Sequence, residues 1–216
     1  MKSLIALGAA LTVAAAANAG TYNDAAYDLF DNSFDNLDIT SVNVSDNGSN
    51  VTFSVTTRGY QSWTKYMIFI STGSGGTTSN AWSRPVDLNG QNIQHFIGSW
   101  VDQGSNNSQL VHFSNGGWDW GGFSTFSNSQ SGNTVSWTVS MASLGLSAGG
   151  TMLFDVATSG GGNDPGVDHL SRSTAATPGW GTASVAGNFL SYTATPAPGA
   201  IALLGVAGLV GSRRRK

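Results

Sequence analysis

Hydrophobic and polar residues alternate with a period of two along several short stretches of the chain. Residues 51–56 (VTFSVT), 135–141 (VSWTVSM) and 151–157 (TMLFDVA) each place their apolar side chains mainly in one phase. This period is typical of half-buried β-strands. The run YMIFI at 66–70 is apolar at every position, which predicts a central strand covered on both faces.

Turn-forming residues separate these stretches. Asp46-Asn47-Gly48 predicts a tight hairpin, because Asn and Gly tolerate the positive φ that such turns require. An Asp- and Asn-rich lead-in, 21–38, fits neither a helical nor a strand period, and its aromatic residues are expected to pack on the core. The remaining predicted elements are strands at 39–44, 93–97, 110–113 and 189–193 and one helical turn at 142–144.

About eight to ten short strands with polar turns and no amphipathic helix indicate an all-β fold. We expect an antiparallel β-sandwich of the jelly-roll or immunoglobulin-like type. The domain is predicted to span residues 20–194.

The N-terminal stretch has the features of a secretory signal peptide. Lys2 supplies the charged start, residues 4–17 are apolar, and Ala17-Asn18-Ala19 is a small-x-small cleavage site. We therefore expect signal peptidase to remove residues 1–19 and export the remainder.

The C-terminal segment, 195–216, contains a Pro-bounded motif, a 13-residue apolar run and four basic residues. As a helix the run would be about 20 Å long, shorter than the bilayer core of about 30 Å. The segment resembles the PEP-CTERM sorting signal of exosortase substrates, with Pro196-Ala197-Pro198 in place of Pro-Glu-Pro. The resemblance implies a hydrophobic sorting helix with transient membrane contact, processing by an exosortase-type enzyme, and a final location at the cell surface or in the extracellular matrix. An uncut anchor is the alternative. The residues that carry this signal are Pro196, Pro198, Arg213, Arg214 and Arg215.

Charge argues against nucleic acid as a partner. The whole chain has a formal net charge of −3. In the predicted domain, four basic residues oppose twelve acidic ones, all Asp, so its charge is −8. A surface of that sign repels phosphate backbones. Cysteine is absent, so disulfides cannot stabilise the exported domain.

The order of strands, turns and aromatic residues between 37 and 171 resembles the family nine carbohydrate-binding modules. It comprises Leu37-Asp38-Ile39-Thr40, Trp63 before YMIFI, the LGL turn at 144–146, MLFDVAT, and an Asp-Pro-Gly-x-Asp loop. The resemblance implies a jelly-roll-like fold, sugar held by exposed Trp residues, and structural calcium.

No catalytic constellation stands out, and we expect no enzymatic activity. The Asp residues lie mostly among turn formers, the three His residues lack metal-ligand spacing, and Gly-x-Ser-x-Gly does not occur. Paired carboxylates of a glycosidase or a nucleophile elbow would be the expected signatures.

Trp118 and Trp120 are the predicted carbohydrate platform. Residues two apart share a face if the segment is extended, and the flanking glycines have no side chains to bury the indoles. Asp119 and Asn115 are expected to hydrogen-bond sugar hydroxyls. The alternative is that the two indoles fold back and close an open end of the sandwich.

Calcium is the predicted cofactor, because it favours carboxylate, amide and carbonyl oxygens. Asn163, Asp164 and Asp168 form the first candidate set, and Asp24, Asp28 and Asp31 form the second. Their alternative role is turn formation. The function expected from all these features is a surface-sorted, non-catalytic module that binds extracellular polysaccharide. A structural matrix component without a small ligand is the alternative.

Overall fold

A computed structural model describes residues 18–196. Strands dominate this range, which contains no α-helix and one 3-10 turn at Ala142–Leu144. In chain order the strands are β1 (Asn18–Asn23), β2 (Ile39–Asp46), β3 (Asn50–Thr57), β4 (Lys65–Ser71), β5 (Val86–Asp87), β6 (His95–Trp100), β7 (Ser108–Ser114), β8 (Gly117–Trp118), β9 (Ser124–Phe126), β10 (Ser129–Ser131), β11 (Thr134–Ser140), β12 (Thr151–Ser159), β13 (Asp168–His169), β14 (Ser184–Val185) and β15 (Leu190–Thr193).

The first sheet is antiparallel and has the order β1-β2-β3-β11-β10. The predicted hairpin joins β2 to β3. Gly48 has a φ of 82°, and the side chains of Asp46 and Asn47 accept hydrogen bonds from backbone N–H groups within the turn. The prediction from Asp46-Asn47-Gly48 is confirmed.

The second sheet is also antiparallel, with the order β13-β12-β4-β6-β7-β8. In addition, β15 pairs with β12 and β9 pairs with β7. All seven residues of β4 are buried, which confirms that YMIFI is covered on both faces. The predicted strand at 93–97 begins later, at His95, because Ile93 forms only an isolated bridge with Thr77.

The main core lies between the two sheets. Phe53 and Trp137 from the first sheet meet Tyr66 and Phe154 from the second, with each side chain 1% exposed or less. The Trp137 indole N–H donates to the Ser108 hydroxyl over 3.1 Å. This arrangement confirms a β-sandwich-like, nearly all-β fold and the assignment of Trp137 to the core.

A second apolar layer covers the outer face of the second sheet. Met67, Phe69 and Phe96 of that face pack with Leu88 and Ile93 from the connection between β4 and β6. The loop layer explains why an antiparallel sheet carries strands that are apolar on both sides.

The lead-in differs from the expectation in two respects. Residues 21–23 belong to β1, which pairs with β2 from Asn18 to Asn23, although they show no strand period. Tyr27 is 64% exposed and does not pack on the core. Phe30 and Phe34 pack on a small third cluster that contains Leu29 and Leu37. The predicted cleavage point after Ala19 falls within β1. Residues 1–17, with most of the predicted signal peptide, and 197–216, with most of the sorting segment, lie outside the described residues.

Candidate metal centre and aromatic surfaces

Three carboxylates from distant parts of the chain meet beside the second sheet. Each of Asp24, Asp28 and Asp168 offers an oxygen, and these oxygens all lie within 4.8 Å of one another. Asp24 follows β1 directly, Asp28 lies in the lead-in, and Asp168 begins β13. The fold therefore brings together residues that are up to 144 positions apart in sequence.

Backbone contacts fix two of these carboxylates. Asp168 Oδ2 accepts the Ile39 N–H over 2.6 Å, and its Oδ1 accepts the His169 N–H over 2.8 Å. Asp24 Oδ1 accepts the Ala25 N–H over 2.8 Å. The first residue of β2, directly after the lead-in, is thus attached to β13 at the position where the cluster forms.

Four buried oxygens around this cluster have no hydrogen-bond partner among the described residues. They are Asp24 Oδ2, Asp38 Oδ1 and both carboxyl oxygens of Asp28. The Asp38 side chain is fully buried, and its other oxygen lies 2.7 Å from Arg58 Nε. Because an unpaired buried carboxylate is costly, a proton or a cation at Asp24 and Asp28 would lower that cost, whereas Asp38 is already paired with Arg58.

The pKa values of the three carboxyl groups are raised, because burial disfavours their charged forms. Burial raises the pKa of Asp24 to about 8 and that of Asp28 to about 6, and repulsion from neighbouring carboxylates adds to both rises. Burial, reinforced by the charge of Asp24, raises the pKa of Asp168 well above its usual value. A bound cation would replace the protons. The donor set consists of hard oxygen ligands, which suit Ca²⁺ or Mg²⁺ rather than a softer metal.

The cluster combines members of the two predicted calcium sets. Asp168 lies with Asp24 and Asp28, whereas Asn163 is exposed. The Asp164 carbonyl accepts a hydrogen bond from Arg84 over 3.1 Å. Asp31, from the second set, is exposed and accepts the Ser33 N–H over 3.0 Å, as a turn residue does.

Trp118 and Trp120 occupy different environments. Trp118 ends β8, is half-buried, and lies edge-on to Phe113 and Phe96 at ring-centroid distances of 5.6 and 6.2 Å. Trp120 is 43% exposed and contacts Phe123. The backbone N–H of Trp120 donates to the Trp118 carbonyl over 3.1 Å. The segment therefore bends instead of extending through both residues.

Asn115 and Asp119 each take part in a turn of the backbone in this region. Asn115 and Gly116 form the two-residue turn between β7 and β8, with φ values of 51° and 81°, as a hairpin of this length requires. Asp119 Oδ1 accepts the N–H groups of Gly121 and Gly122 over 3.1 and 2.8 Å. Both side chains remain exposed.

Trp118 continues a row of aromatic side chains across the outer face of the second sheet. We call Trp100, Trp82, Phe96, Trp118 and Phe113 the aromatic row. Successive ring centroids are 4.2, 5.2, 6.2 and 5.6 Å apart. Trp82, Trp100 and Trp118 are each half-buried. The Trp82 ring lies directly over Gly98, where any side chain would overlap it.

A buried hydrogen-bonded chain links Asp155, His169 and Ser184. His169 Nδ1 lies 2.7 Å from Asp155 Oδ2, and its Nε2 lies 3.1 Å from Ser184 Oγ. Each of the three residues is fully buried, and Ser184 Oγ also accepts the Gly166 N–H. These hydrogen bonds therefore attach β13 and β14 to β12, and the Ser184 side chain is buried within them. The sequence does not predict that His169 pairs with Asp155. His169 follows Asp168 in the chain, but Asp155 lies on a different strand, β12.

A scan against models of known protein families and a search of curated proteins found no match to this chain. Residues 18–196 contain no helix that is long and apolar enough to cross a membrane.

Proposed function

We propose that the chain is an exported, surface-sorted and non-catalytic module that binds neutral extracellular polysaccharide. The observation that carries the proposal is the set of part-exposed rings in the aromatic row, Trp82, Trp100 and Trp118, with Trp120 exposed beside them; Phe96 of the row is fully buried. Aromatic side chains provide flat, apolar contact area at binding surfaces. The two sheets, between which the chain crosses after β3, β9 and β11, suit the proposed jelly-roll or immunoglobulin-like type.

A neutral polymer fits the charge of the domain. Residues 20–194 carry −8, and like charge disfavours an acidic polysaccharide. Export and surface sorting are inferred from the two terminal segments, which would involve signal peptidase and an exosortase-type enzyme.

We further propose that Asp24, Asp28 and Asp168 hold a structural calcium ion. The buried oxygens without partners support this proposal. The ion would supply positive charge to the cluster. The protein itself holds Asp168 in place: the Ile39 N–H, at the start of β2, donates to Asp168 Oδ2 over 2.6 Å.

The test is retention on insoluble cellulose, chitin, xylan and mannan. The parent protein is compared with Trp118→Ala/Trp120→Ala, and Val185→Ala, which trims another exposed apolar side chain, is the matched control. We expect the double variant to lose at least about tenfold in affinity for the retained polymer, since each aromatic anchor is worth about 1–2 kcal/mol. The control should bind like the parent.

Thermal melting separates binding from folding. A double variant that melts far earlier than the parent would show that these indoles mainly stabilise the fold. Retention of the parent on none of the four polymers would contradict polysaccharide binding and favour a structural matrix component.

A further inference from the structure

The fold brings two histidines together at one end of the main core. His95 begins β6 and His112 lies near the end of β7, and the two residues are directly opposite each other in this antiparallel pair. Ile97 and Leu110, two positions along each strand, belong to the core between the sheets. Both imidazoles therefore lie on that same inner face, and both side chains are half-buried.

The two rings meet through their Nδ1 atoms. These nitrogens are 2.8 Å apart, and the ring planes are nearly perpendicular, at 86°. At that distance one nitrogen donates a hydrogen and the other accepts it with its lone pair. A single hydrogen therefore lies between two nitrogen atoms that can each act as a metal ligand.

Hydrogen bonds on the other side of His95 determine which of its nitrogens has the lone pair. The Thr72 hydroxyl donates its one hydrogen to the Leu144 carbonyl over 2.7 Å. Its oxygen must then accept a hydrogen from His95 Nε2, which lies 3.0 Å away. In a neutral imidazole with its hydrogen on Nε2, the lone pair is on Nδ1. Metal-binding histidines are usually oriented by an outer hydrogen bond of this kind.

Both imidazoles are neutral at pH 7. Burial lowers the pKa of His95 to about 4, and repulsion from His112 contributes to this shift. Burial also lowers the pKa of His112, although the charge of Asp119 acts in the opposite direction. Asp119 neighbours His112 in the sheet, since its N–H donates to the His112 carbonyl over 2.8 Å. Two neutral imidazoles near a carboxylate favour a cation.

The distance between the two nitrogens indicates which cations fit. Imidazole nitrogens lie about 2.0 Å from a transition-metal ion, so two of them at a right angle around it are about 2.8 Å apart. Right angles occur in the square-planar shells of Cu²⁺ and Ni²⁺. A tetrahedral ion such as Zn²⁺ would hold the nitrogens about 3.3 Å apart. The observed 2.8 Å matches the square-planar class.

We infer that His95 and His112 form a binding site for one transition-metal ion, with Cu²⁺ preferred over Zn²⁺, in which the ion takes the place of the shared hydrogen. That hydrogen moves through solvent from His112 Nδ1 to His112 Nε2, so both residues remain neutral. No third His, Cys, Asp or Glu side chain of residues 18–196 offers a ligand atom close to both nitrogens. Water therefore completes the shell, and Asp119 contributes negative charge near it. The inference is independent of the calcium site and of polysaccharide binding.

The test is a calorimetric titration of the untagged protein with Cu²⁺, Ni²⁺ and Zn²⁺, in excess calcium to occupy carboxylate sites. His112→Asn removes one ligand at a half-buried position. Thr72→Val removes only the outer contact to His95. Thr138→Val is the matched control, because Thr138 is exposed on β11. Melting curves establish whether each variant is folded.

We expect the parent and Thr138→Val to bind one Cu²⁺ per chain, and to bind Zn²⁺ about tenfold more weakly or less. His112→Asn should lose more than about tenfold in Cu²⁺ affinity, and Thr72→Val about tenfold. Electron paramagnetic resonance of the bound Cu²⁺ should show coupling to two imidazole nitrogens in the parent but not in His112→Asn.

Absence of Cu²⁺ binding by the parent would overturn the site. Equal Cu²⁺ affinity in folded His112→Asn would do the same, because the ion would then be held elsewhere in the chain. If His112→Asn does not fold, the spectrum of the parent decides, and a bound Cu²⁺ without two imidazole nitrogens contradicts the inference. Tighter binding of Zn²⁺ than of Cu²⁺ contradicts the right-angle geometry.

Discussion

Replacing Asp28 by Asn distinguishes a calcium ligand from a residue that only stabilises the fold. Both carboxyl oxygens of Asp28 are buried and have no hydrogen-bond partner among residues 18–196. Asn is nearly isosteric, so the change removes a charge without removing a hydrogen bond. The metal-free protein should therefore become more stable at pH 8, whereas calcium should stabilise it less.

The magnitude follows from the pKa values. Burial raises the pKa of Asp28 to about 6, so at pH 8 the native metal-free protein carries an unfavourable negative charge there. The group is partly exposed, and after allowance for solvent screening we expect a gain of about 1 kcal/mol from Asn. In the parent, calcium at about 100 times its dissociation constant contributes about 2.7 kcal/mol. That corresponds to a rise in Tm of about 5–10 °C for a domain of this size.

Differential scanning calorimetry in about 10 mM calcium and in chelator measures both effects. Asp31→Asn is the matched control, because Asp31 is exposed and outside the cluster. We expect the calcium-induced rise in Tm to be present in the parent and the control and to shrink to about 2 °C or less in Asp28→Asn. An unchanged rise in Asp28→Asn, or the absence of a rise in the parent, would refute the assignment.

Three other predictions test separate parts of the structure. In chelator, the free energy of unfolding should fall as pH rises from about 4 to 8. The raised pKa values of Asp24 and Asp28 let the native state hold protons that the unfolded chain has released. Urea midpoints measured against pH test this, and they would show the opposite slope if the cluster were already neutralised. Gly98→Ala should cost about 1–3 kcal/mol by displacing Trp82 and should also weaken polysaccharide retention, and an unaltered midpoint in urea would mean that the ring does not lie on Gly98. Intact mass of the native protein should correspond to a chain that lacks residues 1–19 and most of the segment after Pro198; a species that still ends in Arg213-Arg214-Arg215-Lys216 contradicts sorting by cleavage.

Sequence patterns predict the interior of this protein well because strand period and burial are coupled. Trp137 alternates with Val135 and Val139 and is fully buried, and the apolar run at 66–70 is a central strand covered on both faces. The hairpin at Asp46-Asn47-Gly48 follows from local backbone preferences alone. In each case the information lies within a few residues.

The candidate sites depend on contacts that no local pattern contains. Asp168 meets Asp24 only because β13 pairs with β12 beside the end of the lead-in. Trp82 lies on Gly98, which is 16 positions away in sequence, and the loop that carries Trp82 has no period. The bend between Trp118 and Trp120 is formed by a backbone hydrogen bond and by the Asp119 side chain. Gly-rich sequence does not specify a bend, so the sequence alone predicts an extended segment there.

Polysaccharide binding at the aromatic row can be tested most directly by nuclear magnetic resonance of the indole N–H groups. The chain contains seven Trp residues, and single Trp→Phe variants assign their signals. During titration with the soluble oligosaccharide of whichever polymer retains the protein, we expect the signals of Trp82, Trp100, Trp118 and Trp120 to shift. Fully buried Trp137 should not respond. Saturation of the protein with sugar while those four signals stay unchanged would contradict binding at this face.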